Sequence, residues 1–117
     1  MVFNVIGRNQ DDHTKNVKFL MDEQGEWSLA PAFDVSYAYR PSGVWTAHHQ
    51  MTINGKNDNF TLDDLLKVAE TIKVKNGKEI IDEIQTVFSN FENYMEKDIS
   101  EAMVDEMKNN LVLDILR

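Results

Sequence analysis

Cysteine is absent from the 117 residues. Disulfides and thiolate metal sites are therefore excluded, and nothing in the composition points to an oxidising compartment. The start of the chain has no basic stretch leading into a long apolar run, so no signal peptide is legible. No stretch approaches the length of a membrane span, which leaves the cytoplasm as the default location. Positive charge is scarce: Lys and Arg number 12 against 20 Asp and Glu, for a net charge of −8 with neutral histidines. Direct binding to nucleic acid needs clustered cations that displace counterions, and this balance argues against it. Low-complexity tracts and internal repeats are missing too. The length suffices for one domain with one core. No G-x-x-x-x-G-K-[ST] element occurs, which excludes a P-loop.

What the chain does have is Asn9-Gln10-Asp11-Asp12-His13-Thr14-Lys15-Asn16, followed by Ala30-Pro31-Ala32-Phe33-Asp34. The first stretch packs two adjacent carboxylates, an imidazole, an ammonium and a carboxamide into the six residues from Asp11. The second adds an isolated carboxylate after a hairpin-like segment. Phosphoryl transfer uses such an inventory: one Asp to orient and accept the proton of the attacking hydroxyl, then an Asn and a later Asp to hold the metal that bridges the phosphates. The interval from Asp11 to Asn16 is that of the kinase pattern H-R-D-x-x-x-x-N. A solvated loop is the competing reading of an Asp-Asp-His-x-Lys-Asn run, because short motifs recur by chance. The apolar segments on both sides and the second Asp after a proline favour the catalytic-loop reading.

Asp11-x-His13-x-Lys15-Asn16, with Ala-Pro-x-Phe-Asp ending at Asp34, resembles the C-terminal lobe of HipA-type serine/threonine kinases. The resemblance covers the first third of the chain, loosens through Met51–Lys56, and rests on helical character beyond. It implies a mainly α (α+β) fold: the helical C-terminal lobe of a protein-kinase-like fold, with a small β-hairpin after the catalytic loop. Residues 1–117 then form a single partial domain, with the loop, hairpin and metal Asp in 1–60 and a helical bundle in 61–117. By the same resemblance Asp11 is catalytic, His13 and Lys15 contact the nucleotide phosphates, and Asn16 and Asp34 bind Mg²⁺. Asp12 is the bystander beside Asp11. Lys56 is a substrate-side candidate.

In chain order, Met1–Gly7 is short and apolar, and its periodicity does not separate helix from strand. By resemblance it is the end of a buried helix, with Gly7 in a left-handed cap. Val17–Met21 and Glu26–Leu29 read as hairpin strands around Asp22-Glu-Gln-Gly25, Gly25 supplying positive φ. Phe19 and Trp27 read as core anchors. Val35–Asn59 is irregular. Its adjacent His48 and His49 should point apart, so a shared metal is disfavoured. Thr61-x-x-Asp64 predicts a capping box before a helix reaching about Ile72. Ile80, Ile81, Ile84, Val87, Phe88, Phe91, Tyr94 and Met95 predict a second helix from about Lys78 to Asp98. Ser100 caps a last helix, with Met103, Met107, Leu111, Val112 and Ile115 inward.

A Gly-rich loop over the phosphates, a strand Lys and its helix Glu are not found before Asp11. The chain therefore reads as a half-site, whether a truncated fragment, a gene remnant or one half of a split kinase. Two function classes follow. The first is the catalytic lobe of a HipA-like kinase that transfers the ATP γ-phosphate to a protein serine and is inactive alone. The resemblance then implies ATP, Mg²⁺, a protein substrate such as an aminoacyl-tRNA synthetase, a HipB-like helix-turn-helix antitoxin and an N-lobe supplied in cis or by another chain. The second is a non-enzymatic acidic helical module for protein interaction. A face left open around Val5, Ile6 and Phe33 would promote self-association.

Overall fold

A computed structural model describes residues 1–116. Among them the elements are helix α1 (Val2–Ile6), a 3₁₀ turn (Thr14–Asn16), strands β1 (Phe19–Met21) and β2 (Trp27–Leu29), and helices α2 (Leu62–Thr71), α3 (Gly77–Ser89) and α4 (Glu101–Asn110). A second 3₁₀ turn (Phe91–Tyr94) lies between α3 and α4. Four helices and one two-stranded antiparallel hairpin make an α+β chain dominated by helix.

The core is assembled from distant segments. Val5 and Ile6 of α1 meet Ile53 of the irregular region, Leu65 of α2, Ile81 of α3 and Ile115 near the C-terminus. Each buried aliphatic side chain contributes roughly 1.5–3 kcal/mol by leaving water. Val5 and Ile6 are thus the centre of the core and not an open face, whereas Phe33 is exposed. The end of α1 is fixed on two sides: Ile6 O accepts from Val112 N at 3.0 Å, and Arg8 Nε donates to Asn110 O at 2.7 Å.

Gly7 follows α1, but its φ of −82° is ordinary and needs no glycine. The requirement is space. A Cβ at Gly7 would overlap Phe88 Cζ, because the Phe3 and Phe88 rings meet tilted, 4.7 Å between centroids, where α1 packs on α3. The left-handed residue is Arg8, at φ 55°.

Helix α2 starts as its sequence directs. Thr61 and Asp64 form a reciprocal capping box, and Asp64 is fully buried. The Asp64 carboxylate also accepts from Asn54 Nδ2 and Lys56 Nζ, each at 2.7 Å. This ties the Ile53–Lys56 turn to the helix start and gives Lys56 a structural ion pair. Helix α3 stops at Ser89, well short of Asp98. The Ser89 hydroxyl and the Asn90 carboxamide donate to the carbonyls of Gln85 and Thr86, and this local bonding competes with continued helix. Tyr94 is consequently exposed. Ser100 caps α4 by accepting from Met103 N. No residue of α4 is buried: Met103 is exposed, and Leu111 and Ile115 enter the core only after the helix has ended.

The hairpin pairs Phe19 with Leu29, Leu20 with Ser28 and Met21 with Trp27. Asp22 Oδ1 accepts from the amides of Gln24 and Glu26, and Gly25 adopts φ 86°. Register and turn follow the sequence; burial does not. Phe19 is 60% exposed and Trp27 68%, so neither anchors a core. The hairpin stands off the body with apolar side chains on both faces.

Candidate active site

Residues 9–12 are held by the irregular segment that follows the hairpin. Gln10 N donates to Ala38 O and Ala38 N to Arg8 O, both at 3.0 Å, while Gln10 Nε2 donates to Thr46 O at 3.0 Å. Gln50 Nε2 donates back to Gln10 O at 3.2 Å. Asn9, Gln10 and Asp12 are buried by these contacts, and Asp11 is exposed. The two adjacent carboxylates therefore face different surroundings.

Asp12 is the inward one. Its Oδ2 accepts from His49 Nδ1 at 2.9 Å and its Oδ1 from Gln50 N at 2.9 Å. A carboxylate can only accept, so the His49 proton sits on Nδ1. Burial pushes the Asp12 carboxyl up, but the bonds from His49 and Gln50 outweigh it and hold the group below the usual carboxylate range. His48 turns away to Asp58, at 3.2 Å. The two histidines do point apart.

Asp11 is the outward carboxylate. Asn16, at the end of the 3₁₀ turn, donates from Nδ2 to Asp11 O at 2.9 Å, which closes the loop on itself and leaves the Asn16 carboxamide oxygen as an acceptor. The hairpin returns the chain so that Asp34 lies beside the loop. One carboxylate oxygen each of Asp11 and Asp34 and one ring nitrogen of His13 all lie within 4.8 Å of one another. Asp34 occupies φ 52°, a region that non-glycine residues visit rarely and that often marks functional positions.

A cavity of about 570 Å³ opens beside this cluster. His13, Asn16 and Asp34 line it together with Asp12 and Lys18, and Phe3, Phe33 and Met51 supply apolar wall. Asp11 sits outside that lining, as does the exposed Lys15. Of the sequence-derived site residues, the structure thus gathers Asp11, His13, Asn16 and Asp34 and leaves Lys15 apart. Lys18 lines the cavity where Lys15 was expected. Reading the sequence also missed Gln10, Asp12 and His49 as the residues that fix the loop. No local signal marked them, because the loop's partners lie at residue 38 and in residues 46–50.

Asn16 and Asp34 present hard oxygen donors to one cavity, with Asp11 adjacent, and such a donor set fits Mg²⁺. Among the described residues no helix is long and apolar enough to cross a membrane.

Compared with known families, residues 1–93 match the model of the HipA-like C-terminal domain. No curated protein and no solved structure matches the chain.

Proposed function

We propose that this chain, which belongs to the family of HipA-like C-terminal domains, is the catalytic-lobe portion of a serine/threonine protein kinase, with the C-lobe of a kinase-like fold. The observation that carries the reading is the return of Asp34 to the loop. Asp11 and Asp34 are far apart in sequence, yet their carboxylates come within 4.8 Å across one imidazole.

In this reading Asp11 orients a serine hydroxyl and accepts its proton, which its exposure permits. Asn16 and Asp34 would hold Mg²⁺, which when bound neutralises charge on the transferred phosphate. His13 and Lys18 line the phosphate side of the cavity, and Lys15 acts only if it swings inward. Catalysis of this kind is positioning and electrostatics. These residues supply one side of the γ-phosphate, so ATP and Mg²⁺ are held productively only with a nucleotide-binding lobe, in cis or from another chain. The family supports a HipB-like helix-turn-helix antitoxin as partner, and a protein substrate such as an aminoacyl-tRNA synthetase belongs to the same proposal.

The test is ATP-dependent labelling of protein by the chain with and without a HipA-type N-lobe. Labelling only in the completed protein supports the reading. No labelling in either favours the second one, a non-enzymatic interaction module. The exposed apolar hairpin speaks for that alternative, because large apolar patches commonly mark protein contacts.

A further inference from the structure

The three histidines differ in one respect. His49 has Asp12 as its partner and His48 has Asp58. His13 Nδ1 is buried without any hydrogen-bond partner. A ring nitrogen of the same imidazole lies within 4.8 Å of carboxylate oxygens from Asp11 and Asp34. Among the described residues this is the place where three metal-ligating side chains converge. The half-buried imidazole reaches the set from the 3₁₀ turn's N-terminal flank, and the two carboxylates arrive from either side of the hairpin.

We propose that Asp11, His13 and Asp34 form a site for a borderline divalent transition-metal ion, of which Zn²⁺ and Co²⁺ are the representative cases. One imidazole with two carboxylates is a mixed nitrogen and oxygen set. Imidazole suits Zn²⁺ and its neighbours, while Mg²⁺ prefers oxygen alone. Bonds of about 2.0–2.2 Å from a tetrahedral ion place its ligand atoms roughly 3.5 Å apart. The three atoms lie within 4.8 Å of one another and must close inward to reach that spacing, which the exposed Asp11 and Asp34 side chains are free to do. The ion would engage the His13 imidazole and offset the repulsion between the two neighbouring carboxylates. Asn16 does not belong to this set. The site is defined by the residues alone, but its consequence rests on the kinase reading: an ion there engages Asp11 and Asp34 together and blocks phosphoryl transfer.

The experiment is titration of the full chain with Zn²⁺ by calorimetry and with Co²⁺ by visible absorption. The expected result is one ion per chain, held at least about a hundredfold more tightly than Mg²⁺. His13→Gln and Asp34→Asn should each weaken it by at least about tenfold, and His48→Gln should leave it unchanged. Thermal melts establish that the variants fold. In the unsubstituted chain, His13 must be the first imidazole whose NMR signals move on adding Zn²⁺, a readout that needs no variant. Absence of saturable Zn²⁺ binding, equal affinity in His13→Gln, or first perturbation at His48 would each overturn the proposal. The kinase reading fails separately: it requires Mg²⁺–ATP binding by the lobe-completed protein to depend on Asn16, which the transition-metal site does not use.

Discussion

Asp12 and His49, 37 residues apart in the chain, meet at 2.9 Å with both side chains buried. This contact, with the bond from Gln50 N to the other Asp12 oxygen, ties the loop bearing Asp11 and His13 to the segment at 46–50. Asp12 is therefore no bystander to Asp11. Asp12→Ala should destabilise the chain by about 3 kcal/mol, since it strands a buried imidazole. Urea unfolding checks this, and an unchanged midpoint would remove the anchor role.

Asp64 makes stability depend on acid. Bonds from Asn54, Lys56 and Thr61 hold its carboxyl well below the usual range. A depressed folded value stabilises the fold above the unfolded value near 4, and that contribution is lost as pH falls through the folded one. Stability should decline from about pH 4 downward. Asp64→Asn should lower stability at pH 7 and flatten that acid limb. Urea melts of both proteins at pH 3 and pH 7 decide it.

Gly7→Ala should cost about 1–3 kcal/mol, because the new methyl group would overlap the Phe88 ring. Phe88→Leu should recover part of the loss. A double-mutant cycle on thermal unfolding reads the coupling. Strictly additive effects would mean that the ring is not the obstacle.

The hairpin should drive self-association. Phe19, Leu20, Met21, Trp27 and Leu29 are all exposed on an element with open strand edges. Phe19→Lys with Trp27→Lys should shift the sedimentation profile towards monomer without lowering the melting temperature. A monomeric unsubstituted chain at high concentration would contradict this.

These contrasts separate what the sequence can say from what it cannot. The Thr61–Asp64 box, the Ser100 cap and the Gly25 turn were legible because each is decided within a few residues. The early end of α3 was local too, in Ser89 and Asn90, but the apolar spacing through Met95 masked it. Burial of Phe19 and Trp27 was not legible, because an alternating strand does not reveal whether anything packs on it. The motif residues Asp11, Asn16 and Asp34 could be named from spacing. Gln10, Asp12 and His49 could not, since their roles exist only once residues 46–50 have folded back over the loop.

The central claim is that Asp11, and not its neighbour, faces the chemistry. The direct measurement is ATP-dependent labelling by the lobe-completed protein carrying Asp11→Asn or Asp12→Asn, each rate normalised to the folded fraction. The account predicts a loss of several orders of magnitude for Asp11→Asn, and for Asp12→Asn a far smaller change once its loss of folded protein has been divided out. Full activity in Asp11→Asn, or a folded Asp12→Asn protein that is the inactive one, would contradict it.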